Sequence, residues 1–292
     1  MSLATSTADL RAEPNTRLSE LLRKVTGRIG FYVFVVAVGA FFALPMAWLV
    51  LAPFDAHPTL AAGLSHPTLA NFFKVFQNPQ AASSLINSVI LALATMALVV
   101  VCASLAAYAL SRVRLRGRDV MLYILLLFSS VVSGSAAMVP IFLLVFYLHL
   151  INSFTGVILV MAGGTLPASI FILKDFTDST PPSYEESARV FGASPFQILK
   201  DIVAPLVRPG IAVIAVWTIV TVWGNFLTPF ILLNSPNLIP ASVEIYSFYD
   251  VGGNANLPLI SAFALLYTLP VVVMYLVVQR RYGFRFYGGL KR

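Results

Sequence analysis

The sequence predicts an all-α polytopic membrane protein with six transmembrane helices, on three observations. The 292 residues are 59% hydrophobic and 11% charged, with a mean hydropathy of +0.87. Soluble domains carry about 25% charged residues, and a water-surrounded core cannot hold so much apolar surface. Six runs reach the roughly 20 apolar residues that a helix needs to cross a bilayer. Eighteen of the nineteen Lys and Arg residues fall in alternate connections between those runs, the asymmetry that sets orientation in a membrane. That distribution also argues against nucleic acid as the partner of the net charge of +7. The single cysteine, Cys102, lies inside an apolar run and excludes an internal disulfide or a cysteine zinc cluster. His57, His66 and His149 are far apart in the chain and lack metal-ligand spacing.

Residues 1–28 are polar and basic, and the first run, about 29–52, has no charge between Arg28 and Asp55. Signal-peptide apolar cores span about 7–15 residues, so a retained first span with a cytoplasmic lead-in is expected. The second run is about 85–110. The third extends from near 120 to about 147 and contains Ser129, Ser130, Ser133, Gly134, Ser135 and Pro140, which predict a broken or tilted span. The fourth, about 154–173, holds Gly163, Gly164 and Pro167; the fifth is about 210–233 and the sixth about 259–279. The spans thus form one domain over 29–279.

With the N-terminus inside, segments 1–28, 111–119, 174–209 and 280–292 hold five, four, four and five basic residues, and only Lys74 falls outside. Both termini, including the tail 280–292, are therefore expected on the cytoplasmic side. The outer connections 53–84 and 234–258 are long and rich in Pro or Gly, while 148–153 is short. The long pair reads equally as a docking surface for an external partner and as plain connectors.

Residues 181–209, PPSYEESARVFGASPFQILKDIVAPLVRP, carry Glu185, Glu186, Arg189, Lys200, Asp201 and Arg208 between apolar runs. Such charges cannot lie in hydrocarbon. Two short helices are expected. Ser183 and Glu186 have the spacing of a capping box, Gly192 that of a helix stop, and Ser194 and Gln197 that of a second box with Pro195 at the first helical position; Pro205 ends the second helix. Small Ser187, Ala188, Ala193 and Ser194 permit close approach, and Phe191 and Phe196 are apolar groups that must face water. The segment reads as a docking element. The alternative is an amphipathic loop on the membrane lipid, anchored by Arg189, Lys200 and Arg208.

No phosphate-cradling G-x-x-x-x-G-K-[ST] loop and no H-E-x-x-H is present. None of the twelve acids lies at the middle of a predicted span, where ion-coupled carriers keep ionisable groups. A secondary carrier is thereby disfavoured, and an energy source must come from another chain.

Glu186-Ser187-Ala188, Gly192, Ile202 and Ala204-Pro205 match in spacing the EAA loop, E-A-A, three residues, Gly, nine residues, I-x-L-P. Pro67-Thr68-Leu69-Ala70-Asn71-Phe72 is similar to P-T-L-x-N-Y/F. Ala107-Tyr108-Ala109-Leu110-Ser111-Arg112, with Gly117-Arg118, is similar to A-Y-A-x-x-R, and the stretch to Ile151-Asn152-Ser153-Phe154-Thr155-Gly156 to L-I-N-S/T-x-x-G. Along most of its length the chain resembles the second permease subunit of maltose-type carbohydrate ABC importers. It departs from that family at Ser187 (Ala), Phe191 (Asp) and Trp223-Gly224-Asn225-Phe226 (W-N-E/D-F).

The resemblance implies an importer-type ABC permease fold with a cytoplasmic coupling-helix loop over 181–209. It implies a heterodimer with a homologous permease, two ATPase subunits that hold ATP and Mg, and an extracytoplasmic substrate-binding protein. The chain itself is then no enzyme, holds no catalytic residue and binds no cofactor or metal. Glu185, Glu186, Ser187, Ala188, Phe191, Gly192, Ala193 and Pro205 are the residues expected to couple to the ATPase. The solute is expected to be a sugar or oligosaccharide in a cell inner membrane, with another polar solute such as glycerol phosphate as the alternative. On a helix, Trp217, Thr221, Gly224, Asn225 and Thr228 share one stripe. With Trp223 they are candidates for the substrate path; helix–helix packing is an equal reading of the same residues.

Overall fold

A computed structural model describes residues 14–59, 66–113, 116–132, 135–249 and 255–282. Among these the chain is helical, with only two isolated β-bridges, Asp55 with Pro67 and Tyr249 with Ala255. Helix α1 covers Pro14–Leu51. It runs unbroken through residue 28 into the first apolar run. None of its apolar window is buried, and it stands at the edge of the bundle.

The next segment is pinned by side chains. Asp55 is buried, and its Oδ1 accepts from the backbone N–H of His57 (3.0 Å) and His66 (3.2 Å). The His57 and His66 rings meet edge-on with centroids 6.1 Å apart. Buried Asn71 donates from Nδ2 to the carbonyls of Pro53 (3.1 Å) and Asp55 (2.7 Å). The Asn of the P-T-L-A-N stretch therefore holds the entry to α2, Ala70–Gln77.

Helix α3, Pro79–Arg112, is the axis of the molecule. Asn78 caps it, its side chain accepting from the N–H of Gln80 and Ala81. Its buried face is largely small, with Ala81, Ser84, Ser88, Ala92, Ala103 and Ala107, which lets neighbouring helices approach closely. Three hydrophobic clusters lie along it, seated on Ala81, on Leu91 and Ala92, and on Ala103 and Ala107.

The third predicted run is divided. Helix α4, Arg118–Val132, has 15 residues, about 22 Å against a hydrocarbon core of about 30 Å. A 3₁₀ turn, Ser135–Ala137, leads into α5, Met138–Tyr147; Ser133 and Gly134 lie outside the described residues. The following turn places His149 (φ 56°) and Asn152 (φ 58°) in left-handed conformations. Helix α6, Phe154–Asp178, is capped by Ser153 and packs on α3. Gly156 is needed there, because a Cβ would stand 2.4 Å from the Leu150 carbonyl.

After the 181–209 segment, α10 spans Arg208–Trp223 and ends at Gly224. A separate helix, α11, covers Leu227–Leu232, so the fifth predicted run is broken at residues 224–226. The last helices are α12, Ala241–Glu244, and α13, Leu257–Tyr282. Among the described residues, four helices (α1, α3, α6 and α13) are each long and apolar enough to cross a membrane. The third and fifth runs are each made from shorter pieces.

The connections group by end. Asn152 Oδ1 accepts from the N–H of Asn234 (3.0 Å) and Ser235 (2.9 Å), and Asn87 donates to the carbonyls of Asn237 and Ile239. These bonds tie 148–153 and 234–241 to the start of α3. The opposite end of α3 meets the 181–209 segment.

Candidate functional site

The 181–209 segment is built as a helix, a glycine reversal and an irregular second helix. Helix α7 covers Ser183–Val190. The expected Ser183–Glu186 capping box does not form. Pro182, with φ −61° and ψ −21°, starts the turn, and Ser183 is already helical with no side-chain cap. A hydroxyl on the first helical residue cannot swing back to the N–H of Glu186. The helix ends as a Schellman motif: Ala193 N–H donates to the Ala188 carbonyl and Gly192 N–H to the Arg189 carbonyl, both at 3.0 Å. Gly192 has φ +84°, a conformation that suits glycine.

The second capping box is present. Ser194 N–H donates to Gln197 Oε1 at 2.8 Å, and Gln197 N–H to Ser194 Oγ at 3.4 Å. It opens α8, Pro195–Gln197, which passes into a π turn, Ile198–Val203, and a last helical turn, α9, Ala204–Leu206. Pro205 lies in that last turn, one residue before the helix ends at Leu206. The wider π turn just before it relieves the crowding that a proline ring causes in a regular α-helix. The chain bends by 78° between Leu206 and Arg208.

One face of this segment is rooted in the spans. Glu185 is 1% exposed. Its Oε1 pairs with Arg112 Nε at 2.6 Å, and its Oε2 accepts from Tyr108 Oη at 3.0 Å and faces Arg189 Nη2 at 3.6 Å. Arg112 also donates to the carbonyls of Thr177 (3.4 Å) and Thr180 (3.2 Å). Beside it, Ser111 Oγ donates to Asp178, which also pairs with Lys174 at 2.6 Å. A buried carboxylate is tolerated only when paired in this way. Ile198, Val203 and Val207 are buried against Ala103, Ala107, Leu173 and Ile214 of the spans, with Ala188 and Ala193 packed at the margin.

The other face is open. Glu186, Ser187 and Gly192 are exposed, Val190 is 85% exposed and Phe191 91% exposed, with Phe196 beside them. Tyr108 and Arg112, which hold Glu185, were not among the expected site residues; the A-Y-A-L-S-R stretch was the signal for them.

Within the bundle, Trp217, Thr221, Asn225 and Thr228 line one cavity of about 140 Å³ with Met138, Met161 and Thr165. They do not share one helix, because the chain breaks at Gly224. Asn225 brings them together: its Oδ1 accepts from Thr228 N–H at 3.0 Å and starts α11. Thr221 and Thr165 donate to the carbonyls of Trp217 and Met161. None of the described residues that line this cavity is charged. Trp223 is not in its wall. Its ring stacks on Tyr267 with centroids 5.5 Å apart, its Nε1 donates to the Tyr267 carbonyl, and Tyr267 Oη donates to the Trp223 carbonyl. Among the described residues, no group of three or more His, Cys, Asp or Glu side chains converges as a metal site would require.

A family model described as "Binding-protein-dependent transport system inner membrane component" matches residues 100–285. The chain is 34% identical over 217 residues to a putative ABC transporter permease protein of Streptomyces antibioticus, covering 74% of this chain and 93% of the relative. It is 28% identical over 257 residues to a galactooligosaccharides transport system permease protein of Bacillus subtilis (strain 168), covering 86% and 90%. A maltodextrin transport system permease protein of the same organism is 30% identical over 215 residues, covering 74% and 77%. The fold matches a chain of a bacterial ABC transporter involved in the import of the acidic polysaccharide alginate, with TM-score 0.75 and 20% identity over 89% of this chain and 97% of that chain.

Proposed function

The chain belongs to the family of binding-protein-dependent transport system inner membrane components, and from that premise we propose that it is the permease subunit of an ATP-driven importer for a sugar or oligosaccharide. It is a transporter subunit, not an enzyme. The named substrates of its relatives, galactooligosaccharides and maltodextrin, support the solute class. The cavity wall supports it too: hydroxyl and amide groups beside the Trp217 ring suit a neutral sugar better than a phosphate ester. In this reading Trp217, Thr221, Asn225 and Thr228 belong to the path. Trp223 positions α10 against α13.

The coupling reading rests on one observation: 181–209 is rooted in the bundle on one face and exposes an apolar tip on the other. A separate ATPase docks on Glu186, Ser187, Phe191, Gly192 and the neighbouring Ala188 and Ala193. Two such ATPases hold ATP and Mg, and a homologous permease completes the pathway. An extracytoplasmic binding protein delivers the solute to the end carrying 53–84 and 234–258. Both termini then face the cytoplasm. A push on the tip passes through Glu185 to α3 and through the π turn and Pro205 to α10, because packed side chains transmit displacement.

The test is Gly192→Asp in vesicles reconstituted with the partner subunits. Asp at φ +84° costs about 1–2 kcal/mol and adds a charge beside the apolar tip. ATP-dependent uptake is expected to be lost while the chain remains inserted. Normal uptake would remove the coupling role from this segment.

A further inference from the structure

A cavity of about 640 Å³ opens behind α7, between the foot of α3, the turn that starts α4, and α7 itself. Among the described residues its wall carries four guanidinium groups, of Arg112, Arg116, Arg118 and Arg189, against two carboxylates, of Glu185 and Glu186. Arg112 and Glu185 are committed to each other at 2.6 Å. Arg118 donates to the Leu110 carbonyl at 3.1 Å, and its Asp119 partner, at 3.4 Å, is 64% exposed and therefore weakly held. Arg189 stands 3.6 Å from Glu185 with its side chain more than half exposed. The wall thus keeps an excess of positive charge facing the open volume.

The position of the cavity limits what fills it. Helices α3 and α4 become apolar beyond the cavity, where both enter long apolar runs. With these helices crossing a bilayer, as their composition and the Lys and Arg asymmetry predict, their charged ends fall where hydrocarbon gives way to the phosphate level. The guanidinium fork matches phosphate oxygens, and basic pockets between transmembrane helices take anionic lipid head groups. We propose that this cavity binds the phosphate group of an anionic phospholipid, held chiefly by Arg116 and Arg189. The bound lipid would bridge Arg116 to α7, leaving Val190 and Phe191 free. Free phosphate offers the same chemistry from solution, and an acidic side chain of a docked protein is a different class of occupant.

The full-length chain in detergent is examined by native mass spectrometry with dioleoylphosphatidylglycerol, with dioleoylphosphatidylcholine and with inorganic phosphate. Phosphatidylglycerol is expected to be retained preferentially. Arg116→Gln is expected to lower its retention about fivefold, and Arg116→Gln with Arg189→Gln about 25-fold, with phosphatidylcholine unchanged. Arg116 is exposed and outside the Arg112–Glu185 pair, so the single variant keeps the test informative if the double variant folds poorly. Equal retention of the two lipids overturns the proposal. So does unchanged phosphatidylglycerol retention in the single variant, the result expected if the cavity serves a docked protein. Displacement of phosphatidylglycerol by millimolar inorganic phosphate would assign the site to the free ion and overturn the lipid assignment. None of these measurements involves an ATPase or a sugar, so their failure leaves the import reading standing.

Discussion

Glu185 and Glu186 are neighbours in the chain and have opposite surroundings. Successive residues of a helix point about 100° apart, so the helix that turns Glu185 onto α3 turns Glu186 to water. Taking a carboxylate out of water costs several kcal/mol unless charged and hydrogen-bonding partners meet it; Arg112 and Tyr108 do so here. Glu185→Ala leaves Arg112 short of its partner and is expected to cost about 3–5 kcal/mol, read as a lowered thermal unfolding temperature in detergent. Glu186→Ala should change stability by no more than about 0.5 kcal/mol, as an exposed site does. Equal destabilisation by the two would contradict the assigned roles. Both acids and the A-Y-A-L-S-R stretch were legible in the sequence. Their pairing was not, because Arg112 and Glu185 are 73 residues apart and nothing local signals the contact.

At the scale of the element, local rules succeeded where the chain is locally determined. Ser194, Pro195 and Gln197 form their box as the spacing predicts, and Gly192 reverses the chain. Ser194→Ala should cost about 1 kcal/mol, measured by thermal unfolding of the purified chain; no change would mean that burial of Ile198 and Val203 alone holds α8. The same rules failed at Ser183, where Pro182 took the capping position. They also joined Trp217 and Thr228 on one helix. The break after Trp223 follows from contacts across the bundle. Ser242 donates to the Asn225 carbonyl, and Trp223 is locked to Tyr267. Those partners hold the turn in a run whose hydropathy is continuous.

For the whole molecule, the division of labour yields its own prediction. The purified chain without partner subunits is expected to bind no ATP in a fluorescent-nucleotide titration, and tight binding would return the energy source to this subunit. The sequence by itself determined the membrane class, the placement of the apolar runs and the charged segment between the fourth and fifth. Hydropathy and charge add up residue by residue, and a bilayer reads them locally. Only the tertiary structure decided which of two adjacent glutamates is buried, where the third and fifth runs break, and that Trp217, Asn225 and Thr228 share a cavity while Trp223 does not. Each of these depends on which distant helix supplies the opposing surface, and that partner is chosen by packing across the bundle.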